Sequence, residues 1–129
     1  MAKVEWKGFD KPDEVRNFTH GRLDLLKVAD GMIGRFTLEP GWRWSKDVKP
    51  IAGTEWCEAS HFQYVVSGRI HVKMQDGTEM ELGPGSVSYL PPGHDAWVVG
   101  NEPLVGIDWS GAVNYAKPKQ EIGRTSGQR

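Results

Sequence analysis

The sequence predicts an all-β domain, a sandwich or closed barrel of roughly nine or ten short strands. Three observations carry that prediction. Sixteen glycines and eight prolines are spread through the 129 residues rather than clustered, so turns punctuate the chain at intervals of roughly 8–12 residues. The apolar segments between the turns are short and alternate with a period of two, as half-buried strands do. No long amphipathic helix pattern is present.

In chain order, the stretch to about Thr19 is polar and weakly patterned, and residues 13–18 read as a single helical turn. Apolar runs at 23–28 and 32–38 flank Ala29-Asp30-Gly31, and an Asp-Gly pair in that setting signals a hairpin. Residues 42–54 read as a longer connection in which Trp42 and Trp44 should cover apolar surface. Strands then follow at 55–57, 61–66, 69–74, 79–82, 86–90, 94–99 and 104–109, the third and fourth joined across a second Asp-Gly turn at Asp76-Gly77. The organisation expected is an N-terminal arm over 1–20, one barrel over 21–116 and a mobile tail over 117–129, rich in charge, Gly, Ser and Gln.

Composition narrows the function. A net charge of −1, with basic residues scattered among acidic ones, argues against nucleic acid or anionic membrane as partner. No apolar run approaches the roughly 20 residues that span a bilayer, and the charged start of the chain lacks an apolar signal core. Cys57 is the only cysteine, which excludes an internal disulfide and suits a reducing compartment. The cytoplasm is the expected location.

Strand parity selects the candidate site. His61, Gln63 and Val65 share one face of their strand, Glu55 and Cys57 one face of the preceding segment, and His94, Ala96 and Val98 one face of a later strand. Only a closed barrel brings these faces together, and it would then gather a carboxylate, a thiol and two imidazoles. His71 alternates with Arg69 and Lys73 on a polar face, and His20 lies in an unpatterned stretch, so neither receives a role.

On these residues the chain resembles the cupin family over about 40–109. The first family motif reads Gly-x5-His-x-His-x3-Glu-x6-Gly, and the second Gly-x5-Pro-x-Gly-x2-His-x3-Asn. Gly68, Gly85, Pro91 and Gly93 stand where the motifs place them. The ligand positions hold Glu55, Cys57, His61 and Ala96 instead, with His94 two residues, one pleat period, ahead of the family histidine. The resemblance implies a double-stranded β-helix, or jelly-roll barrel. It also implies a metal site re-dealt as Cys57, His61 and His94, with Gln63 and Glu55 as substrate-binding groups. Thiolate with imidazole favours zinc, with iron, nickel, manganese or copper as alternatives.

Two functions follow from the resemblance. One is a metal-dependent enzyme on a small organic molecule, of the dioxygenase, isomerase or decarboxylase kind. The other is a non-catalytic module that senses or binds a small ligand or metal, and a barrel with a vestigial site is the third, blander reading. Homodimers are implied as well, and the segment 4–9 with Trp6 is the candidate contact. Sedimentation as a monomer at micromolar concentration would refute that contact.

Overall fold

Nine strands form two antiparallel sheets among the residues described by the computed structural model, 3–110 and 115–117. They are β1 (Glu14–Phe18), β2 (Gly21–Val28), β3 (Gly31–Leu38), β4 (His61–Ser67), β5 (Arg69–Met74), β6 (Glu79–Leu82), β7 (Val87–Leu90), β8 (His94–Val99) and β9 (Leu104–Asp108). The larger sheet has the order β1-β2-β3-β9-β4-β7, and the smaller has β6-β5-β8. Their facing inner surfaces make an all-β jelly roll. The β2–β3 hairpin pairs Val28 with Gly31 across Ala29-Asp30, in line with the Asp-Gly signal.

Alternation along each strand builds the core. Leu23, Leu25, Phe36, Leu38, Val65 and Leu104 point inward from the larger sheet and meet Ile70, Val72, Ala96 and Val98 from the smaller. Each of these larger side chains, Ala96 apart, contributes about 1.5–3 kcal/mol when fully removed from water. The outer face of β4 and β7 carries exposed Phe62, Tyr64, Val66, Val87 and Tyr89, with Trp109 just past the end of β9 beside Phe62. Gly68 is required by its surroundings: it has φ +80°, and a Cβ there would lie 2.2 Å from the Pro103 carbonyl oxygen. Its turn therefore packs backbone to backbone on the β8–β9 connection, next to an irregularity in the β4–β9 register at Val65 and Ser67.

One local expectation is corrected here. Residues 13–18 are not a helical turn: Glu14–Phe18 is strand β1, paired in register with β2 and forming the edge of the larger sheet. Phe18 packs against the core, and the Arg16 guanidinium donates to the Tyr115 carbonyl at 2.8 Å. That edge pairing gives the segment a partner its composition does not advertise. The 42–54 connection holds two single-turn helices, α1 (Trp44–Asp47) and α2 (Lys49–Ala52). Trp42, Trp44 and Val48 from this stretch are buried against the core, which is the covering role expected of the tryptophans. Val4 and Trp6 are exposed. Residues 118–129 of the expected tail lie outside the described residues. Among the described residues, no helix is long and apolar enough to cross a membrane.

Candidate metal centre

Three elements deliver the site. His61 opens β4 opposite Leu90 of β7, and both are buried. His94 opens β8 directly after the Pro91-Pro92-Gly93 turn. Cys57 is pinned to His94 by an isolated antiparallel bridge, its N–H donating to the His94 carbonyl at 2.9 Å and its own carbonyl accepting from Gly93 N–H at 2.8 Å. That bridge sets thiol and imidazole side by side across strands distant in sequence. One ligand atom from each of Cys57, His61 and His94 lies within 4.8 Å of the others, and all three residues are buried. Cys57 Sγ and His61 Nε2 stand 3.9 Å apart, close to the roughly 3.6 Å between sulfur and nitrogen ligands of a tetrahedral zinc ion.

Hydrogen bonds behind the rings fix which nitrogen faces the centre. His94 Nδ1 lies 2.9 Å from the Pro91 carbonyl oxygen. That oxygen can only accept, so Nδ1 holds the proton and Nε2 can offer a lone pair. His61 Nδ1 lies 2.5 Å from Asp108 Oδ2. The other carboxylate oxygen, Oδ1, accepts from Phe62 N–H at 3.3 Å and Ser110 N–H at 3.0 Å. A carboxylate behind a histidine is the support that metal-ligating histidines commonly have. The donor set of one thiol and two oriented imidazoles fits a borderline-soft divalent cation.

The electrostatics agree with this geometry. Burial pushes the Cys57 thiol up, but hydrogen bonds from His61 and His94 outweigh it and bring the thiol down from 9.0 to about 6. Burial alone would depress His61, yet its bonds to Asp108 and Cys57 raise it from 6.5 to about 9. Both shifts favour the thiolate–imidazolium form of the pair. Burial, with the charges of Cys57, Asp108 and Asp95, drives the Tyr115 phenol well above its ordinary value, so it stays neutral.

A small cavity of about 40 Å³ adjoins the three residues. That is room for about one or two water molecules. Gln63 and Tyr115 border it, and most of the remaining wall is apolar, with Phe36, Leu38, Val72 and Leu90. Gln63 donates from Nε2 to Ser88 Oγ at 3.4 Å.

Of the residues picked out by parity, Cys57, His61, His94 and Gln63 meet at this cavity, and Glu55 does not. The Glu55 side chain is 80 % exposed and pairs with Lys49 at 3.3 Å. Residues 54–56 form a bend rather than a strand, so alternation from Cys57 does not carry back to Glu55. Two groups at the site escaped the sequence reading. Asp108 shares inward parity with Leu104 and Gly106 on β9, and an acid at such a position was an available signal. Tyr115 lies beyond the last strand, where no periodicity marks it.

The profile of the EutQ-like cupin domain matches residues 41–105, just over half of the 129-residue chain. A cupin-like protein from Thermotoga maritima superposes with a TM-score of 0.53 at 22% identity, over 75% of this chain and 73% of that one. Oxalate decarboxylase from Lactobacillus farciminis, solved as a formate complex, gives 0.57 at 17% identity over 79% of this chain but only 32% of its own length. KdgF from a Halomonas species gives 0.54 at 17%, over 76% and 86%. At these identities the likeness is one of fold. No curated protein sequence matches the chain.

Proposed function

The chain belongs to the EutQ-like cupin family, and on that premise we propose that it is a metal-dependent enzyme acting on a small organic molecule inside the barrel. Cys57, His61 and His94 would hold one divalent transition metal, zinc first among the candidates. A single observation supports the reading above others: three buried ligand atoms converge within 4.8 Å, each imidazole with Nδ1 engaged from behind. The cation would supply Lewis-acid polarisation of a substrate oxygen. The chain's own residues do the rest. Asp108 orients His61, the apolar wall limits water, and Gln63 and the neutral Tyr115 phenol offer polar contacts to the substrate.

Elemental analysis of the purified protein beside Cys57→Ala, His61→Ala and His94→Ala tests the ligand set. About one metal per chain is expected in the parent and little in each variant, since three protein ligands leave no spare. Full metal content in all three variants would remove the centre.

A second reading, a binding or sensing module, is favoured by one observation: among the described residues, the acid–base groups next to the three proposed ligands are committed. Asp108 is bound to His61 and backbone amides, and the Tyr115 proton is hard to remove. Chelator treatment separates the two. Turnover lost while ligand binding persists supports the enzyme, and binding without turnover under any metal supports the module.

A further inference from the structure

The larger sheet has two unlike halves on its outer side, the side away from the cavity. Over β2 and β3 that side carries Arg22, Asp24 and Arg35, joined in one ion-pair cluster. The start of the chain packs there: the Arg35 guanidinium lies 4.7 Å from the centre of the Phe9 ring, and Lys27 N–H donates to Asp13 at 2.7 Å. Over β9, β4 and β7 no outward residue is charged. Cross-strand pairing sets Phe62 beside Tyr89, and Tyr64 between Val87 and Ile107. Trp109 ends the row, its ring 5.9 Å from that of Phe62. Neighbours at this spacing make one continuous surface, and Phe62, Tyr89 and Trp109 in it are 49%, 63% and 47% exposed.

We infer that a second copy of this chain covers that uncharged half, the same face of each copy meeting across a two-fold axis. The area suits a pair. Four aromatic side chains, each roughly half exposed, offer about 400 Å² between them, and the aliphatic side chains around them take the patch beyond what monomers ordinarily leave bare. A standard interface takes about 800 Å² from each partner, which the patch and its rim together supply. β7 is the last strand of its sheet among the described residues, so an open strand edge, a liability when bare, borders the same patch. Neither extension of the chain itself suits the face. Val4 and Trp6 of the arm stay exposed, and residues 118–129 hold one large apolar side chain, Ile122, in a charged and polar setting. A face without charge meets its own copy without like-charge repulsion, the condition that a self-complementary contact sets.

Sedimentation velocity of the full chain over a micromolar concentration series tests the contact. The parent is expected to run as a dimer. Tyr89→Asp sets a carboxylate from each copy into the contact and should weaken the dimer about a hundredfold, as loss of a central aromatic anchor does. Trp6→Ala, outside the face, should remain dimeric. A parent that runs as a monomer overturns the inference, and so does a Tyr89→Asp dimer of parental affinity. Dissociation in both variants, or a Tyr89→Asp chain that does not fold, passes the decision to hydrogen exchange in the parent. Protection of the β7 amides that grows with protein concentration keeps the inference, and protection independent of concentration ends it.

Discussion

Asp24 on β2 and Asp108 on β9 are both sealed inside the larger sheet, at 1% and 0% exposure, yet they are held by opposite kinds of partner. Asp24 accepts from Arg22 Nε at 2.7 Å and from Arg35 Nη2 at 3.0 Å, with Arg35 directly across the β2–β3 ladder. Guanidinium groups stay charged across the accessible pH range, so this cluster is a fixed staple. Asp108 is held by His61, whose ring can gain, lose or share a proton and can bind a cation at its far nitrogen. A buried carboxylate is thus no guide to function by itself. What distinguishes the two is whether the partner can change state, and whether its other side faces a cavity.

The first way to break that comparison is to neutralise each acid in turn. Asp108→Asn keeps the size of the side chain but removes the charge behind His61. Metal affinity, measured by competition with a chromophoric chelator, should fall about 10–100-fold. Asp24→Asn should leave metal affinity at the parental value. An equal loss from the two variants would mean that any buried charge in this sheet supports the centre, and the contrast would disappear.

Stability should sort the pair the other way. Asp24→Ala strands two guanidiniums, and breaking a fully buried ion pair costs about 3–5 kcal/mol. Here Arg22 and Arg35 have side chains 50% and 35% exposed, so water can take over part of their solvation. The expected loss is about 2 kcal/mol, read from denaturant unfolding. A loss near zero would reduce the cluster to an incidental surface contact.

The contrast also marks how far sequence reasoning reaches. Hairpins, turns and the glycine–proline frame at Gly68, Gly85, Pro91 and Gly93 were legible because backbone conformation itself demands those residues. Inward parity found Cys57, His61, Gln63 and His94, since alternation is strict wherever a strand is regular. It failed at Glu55, where the chain bends and alternation does not apply. It passed over Asp108, because parity says which face a residue occupies and not which neighbour it meets. Asp108 meets His61 only through the β4–β9 pairing, in which Gln63 stands opposite Asp108. β1 was unreadable for a related reason: an edge strand draws its structure from the strand it joins.

The finest expected effect is in the titration of the metal-free protein. Cys57 has a folded value of about 6 against an ordinary 9.0. Its contribution to stability is therefore present at high pH and lost as pH falls through about 6. His61 stands at about 9 against 6.5, so its contribution is present at low pH and lost as pH rises through about 9. Between 6.5 and 9 the native pair is thiolate with imidazolium and the unfolded pair is thiol with imidazole. Each holds one proton, so the opposing slopes offset and the pair adds little pH dependence to folding. The thiolate itself should still titrate visibly, its ultraviolet band fading as pH falls through about 6. His61→Ala should move that midpoint upward, Asp108→Asn should move it the same way by less, and Asp24→Asn should leave it in place. A parental midpoint near that of an ordinary thiol would mean that His61 and Cys57 do not share a proton. The chemical difference between the two buried aspartates would then be confined to whatever the His61 ring does with a cation.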